Sequence, residues 1–204
     1  MMALLQDKTE DRTRILEKAR ELFFFFGIRS ITMDDISKHL GMSKKTLYNH
    51  FKDKAEIVNI IIDDLIVSHG NKLNETRMIS QNAIDELYLQ VDVLLYFFKE
   101  ISPNIFFEMD KYFPELSGHF THHRHHCILL GIKENLERGI EEGLYRPDLE
   151  VEFISNARLN QFVAAFDENA FPEIDFDVTK TLNKLNDFYL HAVCSDKGKL
   201  YIKS

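Results

Sequence analysis

The sequence predicts an all-α fold, and three observations carry this prediction. Proline and glycine are scarce, with 4 and 8 copies among 204 residues, so few turns interrupt the chain. Apolar residues recur at the spacing of a helix face rather than in alternation. Hydrophobic residues make up 45 % and charged residues 28 %, a composition that argues against extended disorder.

The first two helices have clear start and stop signals. Apolar positions predict a helix over about 10–26, with Gly27 as its left-handed stop. Thr32 is the expected cap of the second helix, and Asp35 follows three residues later in the pattern of a capping box. Gly41 then supplies a tight turn.

Ser43 is the expected cap of a short third helix that begins at Lys44 and ends near His50. Leu47 and Phe51 are four residues apart and point the same way, so we expect them to anchor this helix to the first. Its polar and basic side chains are then left to enter a major groove and to bind phosphate or base edges. Two short helices around a glycine turn define a helix-turn-helix.

The rest of the chain also has helical patterns. Asp53 caps a fourth helix that begins at Lys54 and ends near Gly70. Five more helices are predicted over about 83–101, 105–113, 116–142, 149–166 and 177–194. The polar tail from residue 195 is expected to be frayed.

The segment Arg14–Ile57 resembles the N-terminal DNA-binding domain of the TetR family of transcriptional regulators. The matching features are ILxxAxxLFxxxG, the threonine-led second helix, LGMSKKTLYNHF and the lysine that starts the fourth helix. The resemblance implies a nine-helix fold. A three-helix DNA-binding domain would occupy residues 1–53, and a helical ligand-binding and dimerisation domain residues 54–204.

Nine residues are candidates for DNA contact from the helix pattern and the resemblance. They are Thr32, Ser43, Lys44, Lys45, Thr46, Tyr48, Asn49, His50 and Lys54. The charge distribution agrees with this assignment. Residues 1–57 carry 11 basic and 9 acidic side chains, whereas the whole chain has a net charge of −8. The front end therefore favours phosphate more than the acidic remainder does.

A TetR-type operator has two half-sites, so the resemblance implies a homodimer. Apolar stripes on the last two long helices are the candidate dimer surface. They contain Val151, Ile154, Arg158, Phe162, Phe166, Leu182, Leu185 and Tyr189. The alternative is that both stripes are core within one chain. A four-helix interface would be formed by the two stripes of each subunit.

A group of phenylalanines in the middle of the chain is the candidate ligand pocket. It contains Phe97, Phe98, Phe106, Phe107, Met109, Phe113 and Phe120. An apolar pocket for a small molecule is one interpretation of this group, and ordinary core is the other.

Histidines recur at helical spacing shortly after the phenylalanines. The four that share one face are His119, His122, His123 and His126. Histidines in this pattern can bind zinc or a similar metal, or sense pH. No carboxylate stands nearby in sequence to orient them, and the glutamate of HExxH is absent. A solvated or packed helix start is therefore the simpler interpretation, and no cofactor is expected.

The sequence predicts a transcriptional regulator, acting as a repressor that binds a double-stranded DNA operator and is released by a small-molecule effector. The alternatives are a metal-responsive regulator that uses the segment from His119 to Cys127, and an adaptor or coactivator with the same fold. No phosphate-binding glycine loop, nucleophile elbow or carboxylate dyad is present, so an enzyme is not expected.

Location is predicted from what the chain lacks. The two cysteines, Cys127 and Cys194, form no CxxC motif, as is usual in a reducing cytosol. No apolar run approaches the length that crosses a bilayer, and the N-terminus has no features of an export signal. We therefore expect a cytoplasmic protein without a membrane partner.

Overall fold

A computed structural model of the chain describes residues 2–100, 108, 111–113, 118, 122, 124–165, 170–171 and 177–203. Side chains are described from residue 9 onward, except at 98–100 and 124–125. These residues are largely helical, and among them the only strand-like feature is an isolated bridge between Tyr145 and Cys194. The predicted all-α class is confirmed.

Nine α-helices are defined within the described ranges. They are α1 (Met2–Phe26), α2 (Met33–Leu40), α3 (Lys44–Tyr48), α4 (Lys54–Ile79), α5 (Ala83–Glu100), α6 (Leu129–Glu141), α7 (Val151–Ala164), α8 (Val178–Val193) and α9 (Asp196–Lys199). A π-helix, Arg124–Ile128, leads directly into α6. In this part of the chain, no helix is both long and apolar enough to span a membrane.

Glycines end the first two helices as predicted. Gly27 has φ +84° and its N–H donates to the carbonyl of Phe23 over 2.9 Å. Gly41 has φ +66° and follows α2 directly. Only glycine adopts this left-handed conformation without strain, so both positions require it.

The predicted end of the fourth helix at Gly70 is wrong, because α4 continues to Ile79. Gly70 does not have the positive φ of a helix stop. A glycine inside a helix costs only about 1 kcal/mol relative to alanine, and burial of neighbouring side chains exceeds this cost. Leu65 before it and Thr76 after it are both buried.

The described chain divides into two compact units. The N-terminal unit contains Met1–Ser68 with Phe98–Thr121, and the C-terminal unit contains His69–Phe97 with His122–Ser204. This structural division does not follow the predicted boundary between residues 53 and 54, because α4 continues without a break through residue 68. The functional boundary between domains 1–53 and 54–204 stays a prediction.

The core of the N-terminal unit comes from one apolar face of each of its helices. Its most deeply buried side chains are Ile15, Ala19, Phe23, Ile28, Ile36, Leu47, Phe51, Ile57, Val58 and Ile62. Each is at most 1 % exposed, so these helices share a close-packed interior.

The C-terminal unit has an apolar core that surrounds a small polar network. Tyr145 is 1 % exposed, and its hydroxyl donates towards the carbonyl of Ala83 at 3.2 Å and the side-chain oxygen of Asn135 at 3.1 Å. The amide of Asn135 donates to the same carbonyl over 2.9 Å. These bonds satisfy buried polar groups and join α6 to the start of α5.

The tail is ordered rather than frayed, so this prediction is wrong. Ser195 caps α9 by accepting a hydrogen bond from the N–H of Gly198 over 3.1 Å. A Cβ at Gly198 would lie 1.9 Å from the carbonyl oxygen of Leu144. The tail therefore packs so closely that only glycine fits at that position, a contact between distant segments that no local pattern encodes.

Candidate nucleic-acid interface

The candidate interface is built around α3. Ser43 caps this helix, and its hydroxyl oxygen accepts the N–H of Thr46 over 3.1 Å. The hydroxyl groups of Ser43 and Thr46 are also 2.8 Å apart. Both hydroxyls are thus engaged at the helix start, where they fix the direction from which α3 leaves the turn.

The two faces of α3 differ sharply in burial. Leu47 is 0 % exposed and Phe51 is 1 % exposed, whereas Tyr48 is 51 % exposed. Lys44 and Lys45 are also exposed. The apolar side is held in the core, and the basic and aromatic side is open to a binding partner.

Arg12 holds the end of α3 in place, and sequence reasoning did not identify it. Its guanidinium donates to the carbonyl of His50 over 2.6 Å and lies 4.3 Å above the ring of Phe51. It also approaches the carboxylate of Glu56 at 3.4 Å. One side chain of α1 therefore connects the end of α3 with the start of α4. No local sequence pattern distinguishes Arg12 from the other charged residues of α1.

The capping box at the start of α2 is present as predicted. Asp35 accepts the N–H of Thr32 over 3.0 Å and its hydroxyl over 2.6 Å, while the N–H of Asp35 donates to the Thr32 hydroxyl oxygen over 3.2 Å. The hydrogen bonds from Thr32 hold the pKa of the Asp35 carboxyl below its usual value. The Thr32 hydroxyl is therefore already engaged by a carboxylate.

The other candidate DNA contacts on α3 differ in accessibility. The ammonium of Lys44 forms an ion pair with Asp34 on α2. Asn49 is exposed, while Thr46 and His50 are half-buried. An exposed ion pair of this kind is weak, so Asp34 does not prevent Lys44 from binding a phosphate.

Lys54 points into the N-terminal unit. Its ammonium lies 3.4 Å from the carbonyl oxygen of Arg29 and 5.9 Å from the centre of the Phe23 ring. Burial lowers the pKa of Lys54, and the nearby carboxylates of Glu108 and Asp35 oppose that shift. Contact between Lys54 and a phosphate stays a prediction, and this contact would require the side chain to turn outward.

Most of the candidate ligand pocket falls outside the described side chains. This holds for Phe98, Phe106, Phe107, Met109 and Phe120. Phe113 is half-buried, and Phe97 is 8 % exposed with its ring edge-on to His69 at 4.9 Å.

A groove between α4 and α5 lies beside Phe97 in the C-terminal unit. Its volume is about 340 Å³, within the usual range for small-molecule sites. The ammonium of Lys72 lies 4.2 Å from the centre of the Tyr96 ring and 5.8 Å from that of Phe97. The groove is lined by Lys72, Glu75, Thr76, Ile79, Leu89, Asp92, Val93 and Tyr96. It is thus more charged than the predicted phenylalanine pocket.

The structure corrects part of the candidate dimer surface. Arg158, Leu182 and Tyr189 are 1 %, 1 % and 4 % exposed, so they belong to the core of one chain. The helical spacing identified an apolar stripe but did not show which neighbour covers it. Four further members are half-buried, and Phe166 lies outside the described residues. The half-buried ones are Val151, Ile154, Phe162 and Leu185.

Arg158 is a buried cation held between two aromatic rings and by hydrogen bonds. Its guanidinium carbon lies 4.3 Å from the Phe162 ring centre and 4.4 Å from that of Tyr189. It donates to the side-chain oxygen of Asn186 over 2.7 Å and to the carbonyl of Leu185 over 3.2 Å. Burial lowers the pKa of Arg158 to about 10.

Two of the four candidate metal ligands can be described. The rings of His122 and His126 are stacked with their centres 3.9 Å apart, and both side chains are exposed. His119 and His123 lie outside the described residues. Among the residues that the structure describes, no group of three or more histidine, cysteine or acidic side chains is placed to hold a metal.

Known sequences similar to this chain are similar in the part that contains α2 and α3. The family model described as "Bacterial regulatory proteins, tetR family" matches residues 15–61. An HTH-type transcriptional regulator of Staphylococcus aureus strain USA300 is 33 % identical over 95 residues, which are 45 % of this chain and 50 % of that protein. The chain thus spans half the length of the curated relatives it matches.

Comparison with solved structures covers almost the whole fold. A transcriptional regulator from Saccharomonospora viridis in complex with choline has a TM-score of 0.77 at 19 % identity, covering 92 % of this chain and 99 % of that one. The SmeT–triclosan complex, of the Stenotrophomonas maltophilia repressor, has a TM-score of 0.69 at 19 % identity, with 91 % and 92 % covered.

An N-terminal helix-turn-helix with an open basic face, followed by further helices, is the architecture of a helix-turn-helix transcriptional regulator. The N-terminal segment, residues 15–61, matches the TetR family of bacterial regulatory proteins, and the fold of almost the whole chain is similar to that of solved regulators.

Proposed function

We propose that this protein is a transcriptional repressor that binds a two-fold symmetric DNA operator through α3 as a homodimer. The observation that carries the proposal is the burial of Leu47 and Phe51 beside the exposure of Lys44, Lys45 and Tyr48. A helix held by its apolar side and open on its basic side suits the major groove. This is a binding role, with no catalytic step.

The dimer part of the proposal uses exposed apolar residues of α7 and α8. Phe153 and Val163 on α7 are 69 % and 43 % exposed, and Phe188 on α8 is 65 % exposed. Such side chains are typical of subunit interfaces when they share a face. We therefore propose a surface centred on these three residues, with the half-buried members of the predicted stripe at its edge.

The surface is tested by sedimentation of Phe153→Asp and Phe188→Asp. We expect each to shift the protein towards monomers, because a carboxylate would be desolvated in the interface. Leu200→Asp is the matched control, since Leu200 is 84 % exposed on the tail. If both interface variants sediment as the parent does, α7 and α8 do not form the dimer contact.

The effector part of the proposal draws on the structural relatives. One of them holds choline and another triclosan, and the C-terminal unit of this chain has a groove of suitable volume beside Phe97. We propose that a small molecule binds this unit and lowers DNA affinity, which requires tighter binding to the DNA-incompetent state. Choline and triclosan are the first probes, tested by thermal shift and by loss of DNA binding.

DNA binding is tested by a mobility-shift assay against fragments of the source genome. We expect retention of a specific fragment that contains half-sites about 34 Å apart. Lys44→Ala should reduce the slope of log affinity against log salt by about 0.9, the value for one phosphate contact. Lys180→Ala, an exposed lysine on α8, is the charge-matched control. Failure to retain any fragment at moderate salt would overturn the proposal.

A further inference from the structure

Two histidine side chains at the start of the C-terminal unit, His122 and His126, lie against each other. His122 is helical, and His126 follows within the π-helix Arg124–Ile128. Their rings are stacked 3.9 Å apart at an interplanar angle of 21°, and both side chains are exposed. Segments of π-helix are frequent at functional sites, because they change which side chains lie side by side.

We propose that His122 and His126 together bind one borderline divalent metal ion, of the class Zn²⁺, Ni²⁺ or Cu²⁺. Two imidazole nitrogens that bind one ion at about 2.1 Å each must be roughly 3 Å apart. The rings are 3.9 Å apart, so rotation about the side-chain torsions can bring one nitrogen of each ring to this separation and turn both nitrogens towards one ion. Imidazole is a preferred ligand for these ions and a poor one for Mg²⁺ or Ca²⁺.

Among the residues that the structure describes, His122 and His126 supply the two protein ligands of the proposed metal site. Cys127 is exposed, but it is adjacent to His126 in sequence and therefore projects in a different direction from the helix. Water or a small anion would complete the coordination of the ion. Protons compete for the ring nitrogens, so binding weakens as the solution is acidified.

The test is titration of the full-length protein with ZnCl₂ and NiCl₂ by isothermal calorimetry. We expect one ion per chain, and a loss of affinity on the order of tenfold or more in His122→Gln, because a second ligand on the same scaffold multiplies affinity. His126→Gln should lose as much, and the double variant little more than either. The matched control is His39→Gln with His191→Gln, which removes two exposed imidazoles that are not paired with each other.

A spectroscopic readout identifies the ligands directly. Sub-stoichiometric Ni²⁺ is paramagnetic and should first broaden the two imidazole signals that are missing from the spectra of His122→Gln and His126→Gln. Equal affinity in the parent and the double variant would overturn the proposal, as would an equal loss in the control. Thermal melts without metal verify that the variants fold. DNA binding is measured separately, so failure here leaves the proposed repressor function unaffected.

Discussion

The carboxylate of Glu108 accepts a hydrogen bond from the backbone N–H of Arg29 over 3.0 Å, although 79 residues separate them in the chain. The Arg29 side chain in turn donates to the Tyr112 hydroxyl over 2.8 Å. These contacts lie within the N-terminal unit and join the loop between α1 and α2 to the segment that follows α5. The loop that leads into α2 and α3 is therefore held by residues from far along the sequence.

Glu108→Ala should lower the free energy of unfolding by about 1 kcal/mol, because an exposed charge-assisted hydrogen bond is lost. The pKa of Lys54 should fall further, since Glu108 raises it. Glu108→Gln, which keeps an oxygen acceptor, should lose less. Urea denaturation measures all three proteins, and Glu141→Ala on α6 is the control. Equal stability of Glu108→Ala and the parent would contradict this role.

Leu47→Ala and Tyr48→Ala should separate folding from DNA binding. Leu47 is 0 % exposed, so its truncation should cost about 2–5 kcal/mol of stability and abolish DNA binding with it. Tyr48 is 51 % exposed, so its truncation should leave the melting temperature nearly unchanged and weaken DNA binding. Calorimetry and a mobility-shift assay on the same samples give both values. The assignment of the two faces is refuted if the two variants show the reverse pattern.

Asp35→Asn should destabilise the protein in a pH-dependent way. The folded pKa of Asp35 lies below its unfolded value because of the hydrogen bonds from Thr32. Its stabilising effect is therefore fully present above the unfolded pKa of about 3.9 and is lost as the pH falls through the folded pKa. The difference in melting temperature between parent and variant should be largest near neutrality and vanish in acid. Asp64→Asn, at an exposed position of α4, serves as the comparison, and a difference independent of pH would argue against the capping box as the cause.

Arg158 is expected to tolerate methionine better than lysine. Arg158→Ala should cost about 2–5 kcal/mol, because it leaves a cavity between Phe162 and Tyr189. Lysine keeps the charge but not the planar stacking or the fork of donors, and no carboxylate among the described residues contributes to the pKa shift of Arg158. Methionine fills the space without a buried charge. Unfolding in guanidinium chloride gives the stability of each of the three variants. A lysine variant as stable as the parent would show that stacking on the two rings does not stabilise the fold.

Two glycines of α6 should respond oppositely to the same substitution. At Gly131 no atom of the described residues lies within 4 Å of an added Cβ, so Gly131→Ala should raise stability by about 1 kcal/mol through helix propensity. At Gly139 the Cβ would lie 2.0 Å from the Tyr145 ring, so Gly139→Ala should be destabilising. Thermal melts of both variants provide the comparison. A stabilising effect at Gly139 would mean that Tyr145 can move away freely.

The sequence by itself determined the features that depend on local chemistry. Gly27 ends α1, Thr32 and Asp35 form a capping box, and Ser43 begins α3, because each depends on hydrogen bonds within a few residues. The burial of Leu47 beside the exposure of Tyr48 also follows from helical spacing, since only one side of a short helix can face the core.

Only the tertiary structure decided which distant groups meet. Arg12 reaches the end of α3, Glu108 reaches the loop at Arg29, and Arg158 lies between two rings inside the chain instead of on its surface. The continuation of α4 past Gly70 was likewise decided by the tertiary structure. In each case the stabilising free energy comes from burial or from hydrogen bonds between residues far apart in the sequence. Helical spacing predicts which side of a helix is apolar, but it does not predict which residues pack against that side.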